Sequence, residues 1–447
     1  MHARSFAMLT AAAVGVALSL VAEPVLGQPM PLCRKRAGIL VADSDLNKIM
    51  RVRDLNNNGN ALDAGEITVF FDGTNASGVT FDSSSRIFQS ADGTVYLCDL
   101  ALDKVIAVRD NNLDGDANDA GEARVFFSAA GNFGLFTLPT PQGVTADASG
   151  AIYIANAGAG ASTPQDGVLR LLELPATLDG DCEDTGESSL WLNSSALYST
   201  SSNPFGICSI GNTIYYNEWG FPNAAPPPTS VRTVRRTVDT DNSGTIEASE
   251  CTTFITDGDF GVGIGDACVT DGVSIYTHDR TGSVNPQRVY KLTDMDASET
   301  INAAGEVSVV WSEDTLAPIG AVMATSFDFN IGPGRLVVIS SGSGAQDAVI
   351  QAIDKDNNGS FLDAIDETTV LVSAAAVSGF PSNLRGVSFY AWPCRADFNQ
   401  TGGVSVQDIF DFLAAWFTVN PLADINCGAG VSVQDIFDFL ASWFSGC

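Results

Sequence analysis

Residues 239–250 read DTDNSGTIEASE, with oxygen-bearing side chains at Asp239, Asp241 and Ser243, a turn residue at Gly244, and carboxylates at Glu247 and Glu250. Alternate side-chain oxygens converge while the chain turns sharply at the glycine, and a carboxylate closes the far end. That is the shell a hard divalent cation such as calcium requires. The same frame recurs at Asp54, Asn56, Asn58 and Gly59, at Asp110, Asn112, Asp114 and Gly115, and at Asp354, Asp356, Asn358 and Gly359. A further copy has Asp294, Asp296 and Ser298 but Glu299 where the glycine belongs, and another keeps only Asp179, Gly180, Asp181, Asp184 and Glu187. The closing acid stands one place later at Glu66, Glu122 and Glu306, and Asp366, followed by Glu367, takes that place in the last copy. One inserted residue still lets a carboxylate reach inward. A lone turn rich in Asn, Asp and Gly needs no metal. Repeated copies crowd carboxylates together at a cost in repulsion unless cations neutralise them. Calcium is therefore expected, at the weak affinity of extracellular modules, roughly 0.1–1 mM.

These EF-hand-like loops join strands, and the strands recur. Apolar runs ending in a polar residue stand at Ile39–Asp43, Val95–Asp99, Ile152–Asn156, Ile214–Glu218, Ile275–Asp279 and Leu336–Ser340. Each is followed by a further strand, an acidic loop and a last strand such as ITVFFD, ARVFFS, SLWLN or VSVVWS. Short strands of this composition, four to a unit, are the pattern of propeller blades, which stack radially because none can bury both faces alone. LRGVSFY at 384–390 reads as an innermost strand without its blade, and 38–43 opens a blade without its innermost strand. Together they complete a sixth blade and leave no exposed sheet edge. The expected fold is mainly β, a six-bladed β-propeller over residues 37–392 with EF-hand-like acidic loops, the alternatives being an open β-solenoid or a sandwich.

In the first two blades VADSDLNKIMRV and YLCDLALDKVIAV are similar to the NHL-type propeller repeat. The resemblance implies a fold and no activity, since propellers host binding modules and enzymes alike. Some six-bladed propellers are calcium-dependent hydrolases or lactonases that hold one ion in the central channel, and Asn156, Glu218 and Asp279 would approximate such a cluster. The opposing expectation is that polar residues at these strand ends cap the strands through hydrogen bonds. His278 beside Asp279 is the one candidate acid–base pair, because the chain contains two histidines and His2 lies in the leader. The propeller is thus expected to be non-catalytic, with a channel plugged by apolar side chains. Face loops, among them the Pro-rich stretch 220–229, would meet protein or, less readily, polysaccharide ligands.

Residues 394–447 form a second, all-α unit with a repeat: ADFNQTGGVSVQDIFDFLAAWF and ADINCGAGVSVQDIFDFLASWF. Val406, Ile409, Phe410, Leu413, Trp416 and Phe417 recur at helical spacing, and so do their counterparts from Val433 to Phe444. This tail resembles the dockerin module, more narrowly the GC-type dockerin, with its terminal Gly446 and Cys447. The resemblance implies docking onto a cohesin-like or cell-surface scaffold protein. It also implies calcium at Asp397, Asn399 and Asp408 and at Asp424, Asn426 and Asp435, although Thr401, Gly428 and Ala429 depart from the pattern. A Cys394–Cys447 bridge would staple so small a domain.

Composition sets the compartment. The chain carries 53 acidic against 22 basic residues, a net charge of −31, which repels phosphate backbones and excludes nucleic acid as a partner. Residues 1–27 read as a signal peptide: Arg4, an apolar run from Ala7 to Ala22, and Val25 and Gly27 before the cleavage point. The run is short for a membrane span, and no transmembrane segment is expected. Nine cysteines without a CxxC motif fit an oxidising, extracellular setting, as structural bridges or buried thiols. Cys208 with Cys268 is the other expected pair.

Overall fold

The computed structural model describes residues 38–445, apart from 129–139, 158–165, 198–200, 222–230, 280–285, 342–346, 400–403, 426–430 and shorter breaks that include 56–57, 357 and 364–365. Residues 1–27, read above as a signal peptide, and 222–229 of the Pro-rich stretch lie outside the described residues. No helix is long and apolar enough to cross a membrane among those described.

Twenty-four strands, β1 to β24 in chain order, pair into six four-stranded antiparallel sheets. Blade 1 is built from both ends of the propeller, in the order Leu384–Tyr390, Gly38–Asp43, Lys48–Val52 and Ile67–Asp72. Ile39 faces Phe389 and Val41 faces Val387 across the closing pair. The other five blades each use four consecutive strands, and neighbouring innermost strands touch in a closed cycle. The mainly-β, six-bladed architecture is thus as the repeats imply. The strand at 38–43 is buried along its whole length, which its unbroken apolar run requires.

The outermost strands are most buried in their second halves, and there all six carry a one-residue bulge. The extra residue, at Phe70, Phe126, Trp191, Phe254, Val310 and Leu371, is buried and unpaired within its own sheet. Its carbonyl instead accepts a backbone N–H from the acidic loop of the next blade. The donors are Ala117 to Phe70 at 2.7 Å, Cys182 to Phe126 at 2.8 Å, Ile246 to Trp191 at 2.7 Å, Ile301 to Phe254 at 2.8 Å, Phe361 to Val310 at 2.7 Å and Ala61 to Leu371 at 2.8 Å. The six bonds run round the whole ring. Each donor's side chain is buried as well, so every acidic loop clips its blade to the one before it.

In the tail, helices α1 (Val406–Phe417) and α2 (Val433–Ser445) pack through Phe412 and Phe439, stacked at 4.2 Å with nearly parallel rings. The Nε1–H of Trp416 donates to the Ser432 carbonyl at 2.7 Å and that of Trp443 to the Ser405 carbonyl at 2.8 Å. This reciprocity follows from the sequence repeat. Two helices present because of the repeat do not by themselves establish a dockerin.

Candidate metal sites at the blade edges

Each acidic loop leaves one strand and enters the next, so its ends are fixed by the ladder. In blade 4 the Asp239 carboxylate accepts the N–H of Ser243 at 3.0 Å and of Gly244 at 2.9 Å. Asp54, Asp110, Asp294 and Asp354 accept the N–H of Gly59, Gly115, Glu299 and Gly359 in the same way, at 2.8 to 3.0 Å. The first acid thereby ties down the turn. That turn residue has a positive φ in every loop, including 67° at Glu299, a conformation unfavourable for anything but glycine. Arg236 of the preceding blade holds Glu299 there through two hydrogen bonds of 2.9 and 3.0 Å.

The closing acids lie deeper than their spacing suggests. Glu66, Glu122, Glu250 and Glu306 are all buried. Each spans the loop, one oxygen accepting from its start and the other from its end. Glu306 takes Met295 and Asn302 at 2.9 Å, and Asp366 takes Lys355 at 3.0 Å and Asp363 at 3.2 Å. The N–H groups of Asn302 and Met295 hold the Glu306 carboxyl below its ordinary pKa, so it stays ionised.

Three loops bring carboxylates together: Asp239, Asp241 and Glu250; Asp294, Asp296 and Glu306; and Asp354, Asp356 and Asp366. In each set the oxygens lie within 4.8 Å of one another. Ser243 and Ser298 sit inside their loops, their hydroxyls donating to Thr245 and Thr300 carbonyls. In blade 1, Asn58 donates to Asp63 and its oxygen accepts from Asn60, while Asn56 lies outside the described residues. In blade 2, Asn112 accepts from Asp114, and Asp114 from Asp116. Asp110 is 2% exposed, with one oxygen on Gly115 and the other, Oδ1, shielded from water without a hydrogen-bond partner. Burial raises its pKa to about 6. A carboxylate so buried is costly unless positive charge lies near it, and the Arg51 guanidinium supplies part of that charge.

Blade 3 corrects the sequence reading in one respect. Its turn glycine, Gly180, donates to Glu173 at 2.6 Å, so Glu173 plays the first-acid part from two residues further back. The seven-residue interval from turn to closing acid, as in Gly180 and Glu187 against Gly115 and Glu122 and shared by every loop except that of blade 4, is the signal that fixes this register. Glu187 then bridges Leu174 at 2.9 Å and Asp184 at 3.1 Å.

In the tail, Asp408 accepts from Asn399 at 3.1 Å and Ser405 at 2.8 Å, and Asp435 from Ser432 at 2.7 Å, all backbone N–H groups. Both carboxylates are buried and cap their helices. Asp397 is buried, its N–H donating to Cys394 at 3.4 Å, and Asp424 precedes Asn426, which lies outside the described residues. Cys447 also lies outside them.

Two of the three residues considered for a central ion, Glu218 and Asn156, are engaged elsewhere. Glu218 pairs with Arg235 at 2.5 Å and accepts from Ser202, and the Asn156 oxygen accepts the Thr140 N–H at 3.3 Å. Asp43 and Asp99 cap the turns that follow them, accepting from Asp45 and Leu46 and from Ala101 and Leu102. Buried His278 accepts the Asp266 N–H at 3.2 Å through Nε2. The channel is lined by an apolar side chain from every blade: Val387, Ile87, Val144, Ile207, Val269 and Phe329. Beside them the Arg86–Asp328 ion pair closes at 3.4 Å.

No family model matches the sequence, and no curated protein matches it. Solved structures do. A chain of a nidogen/laminin complex is 14% identical, with a TM-score of 0.47 over 78% of this chain and 97% of that one. A PQQ-bound aldose sugar dehydrogenase from Streptomyces coelicolor is 12% identical, with a TM-score of 0.42 over 73% and 94%. Regucalcin, a calcium-binding protein from Agrobacterium tumefaciens, is 13% identical, with a TM-score of 0.37 over 62% and 72%. At these values the likeness carries no functional argument, and the six-bladed assignment rests on the strand pairing of this chain.

Proposed function

We propose that this chain is a secreted propeller stapled by calcium at its blade loops, a non-catalytic binding or surface-assembly module held to a cohesin-like or cell-surface scaffold by its C-terminal repeats. The observation that carries the reading is the coincidence of two features in the same loops. Each loop clips its blade to the preceding one, and three of them gather carboxylate oxygens within 4.8 Å. An ion there would fix the geometry that closes the ring. The unpartnered Oδ1 of Asp110 supports the same chemistry in a fourth loop. Export is supported by the leader, and calcium at sub-millimolar to millimolar affinity suits an extracellular setting.

Docking is supported by the tail's surface. Phe410 and Phe417 on α1 and Phe437 and Phe444 on α2 are 60 to 78% exposed, in matching places on the two helices. Calorimetric titration of the whole protein with calcium tests the metal: several sites per chain are expected, one of them lost in Asp239→Asn/Asp241→Asn. No uptake at several millimolar calcium would overturn it. Docking is tested by comparing the full chain with Phe410→Asp/Phe437→Asp for retention on a cell-envelope fraction. Equal retention would overturn that part alone.

A further inference from the structure

We infer that Cys208 and Cys268 are a redox pair whose disulfide locks the hub between blades 4 and 5. Their Sγ atoms lie 3.1 Å apart, and both residues are buried. Cys208 is on the innermost strand of blade 4, Ser201–Ile210, and Cys268 opens the innermost strand of blade 5, Cys268–Thr270. The two strands belong to different sheets, so no ladder joins them. A covalent bond here would add to the packing and hydrogen bonds that join the two blades.

The backbone is already arranged for it. Gly206 lets the strands approach: a Cβ at that position would stand 2.4 Å from both the Asp266 carbonyl oxygen and the Cys268 nitrogen. From the second strand of blade 4, the Asn217 side-chain amide donates to the carbonyls of Gly265 at 2.9 Å and Ala267 at 2.8 Å, which holds the same stretch of blade 5 in place. The sulfur atoms therefore sit side by side before any bond forms, as closure of a bridge requires. Burial pushes the thiols of Cys98 and Cys182 well above the ordinary range.

Access comes from the channel, because both cysteines line the central cavity. A low-molecular-weight disulfide such as oxidised glutathione entering there is attacked by one cysteine thiolate, which forms a mixed disulfide and releases one glutathione thiol. The second cysteine sulfur displaces the other glutathione. The two sulfur atoms of the protein are oxidised, the glutathione disulfide is reduced, and the two protons leave on the two glutathione thiols. The inference stands without any metal.

The full-length protein, exchanged between oxidised glutathione and dithiothreitol and then alkylated under denaturing conditions, tests it by peptide mapping. A cross-linked peptide containing Cys208 and Cys268 is expected in the oxidised sample, with both residues alkylated in the reduced one. Reduction should also lower the midpoint of thermal unfolding by about 5 °C or more, by more than it does in Cys208→Ala/Cys268→Ala, where, among the described residues, only the bridge at Cys394 is left to reduce. Recovery of both residues alkylated after oxidation, or linkage of either to Cys182 or Cys251, would overturn the pairing. The map of the unaltered protein decides the matter even if the double variant fails to fold.

Discussion

The backbone N–H of Ala117, in the acidic loop of blade 2, donates across the blade boundary to the carbonyl of Phe70, 2.7 Å away in blade 1. Phe70 can accept because a bulge removes it from its own ladder, between the Ile49–Phe71 and Met50–Val69 pairings. Repeated six times, this relationship makes the candidate metal loops part of the ring's closure. Whatever orders a loop also orders the edge of the neighbouring blade.

The clip should be sensitive to the side chain that buries it. Phe361, 3% exposed, fills the boundary between blades 5 and 6, whereas its neighbour Leu362 is 41% exposed. Phe361→Ala is expected to cost about 3–5 kcal/mol in equilibrium unfolding, and Leu362→Ala no more than about 0.5 kcal/mol. Equal effects would remove the clip's energetic role.

Glu299 offers a test of local strain. Replacing it with glycine relieves a left-handed conformation worth roughly 1–2 kcal/mol and forfeits an exposed ion pair with Arg236 worth about 0.2–1 kcal/mol. Glu299→Gly should therefore be neutral to slightly stabilising in denaturant unfolding. The mirror change, Gly244→Glu, puts the same strain at a φ of 82° with open space around its Cβ and should be destabilising by roughly 1–2 kcal/mol.

Most of the architecture is readable from the residues, and the reason is local. Runs such as VYLCD and IYIAN are too short and too apolar to be anything but buried strands, and the split blade follows from counting them. The clips are less visible, because they depend on pairing between strands. Their trace is the adjacent apolar pair in each outer strand, Phe70–Phe71, Phe126–Phe127, Val310–Trp311, which breaks the alternation of a half-buried strand and marks the bulge. The closing acids stand out in the sequence as candidate ligands but not as bridges between backbone N–H groups, since one carboxylate spacing serves both. Glu173 was missed because two inserted residues and a longer side chain hide it from a fixed frame.

Asp328 in the channel should titrate far from ordinary carboxylates. Burial raises its pKa to about 6, against the opposing pull of Arg86 and the Val387 N–H. In the unfolded chain it returns to about 3.9. Above pH 6 the group is charged in both states and the folded chain bears the burial cost; below pH 4 it is protonated in both. Its destabilising contribution therefore fades as the pH falls from 6 to 4. Carboxyl NMR should give a midpoint near pH 6, and a midpoint near 4 would contradict the burial argument. Arg86→Ala should raise the midpoint further and cost about 3–5 kcal/mol, because it leaves a buried charge without its cation.

In the tail, Trp443→Phe deletes the donor to Ser405 while keeping the aromatic packing, at a cost of about 1 kcal/mol. Amide exchange at the start of α1 should quicken severalfold, and Trp416→Phe should do the same for α2. Unchanged exchange would mean that the reciprocal bonds add nothing to helix docking.

Scanning calorimetry of the intact protein in millimolar calcium, in magnesium and in excess chelator most directly tests whether hard cations at the blade loops hold the ring together. Calcium should stabilise the fold by RT ln(1 + [Ca]/Kd) per site and so raise the unfolding midpoint in a concentration-dependent way, magnesium should do so less, and Asp239→Asn/Asp241→Asn should reduce the gain. An unfolding midpoint identical in calcium and chelator would contradict the account.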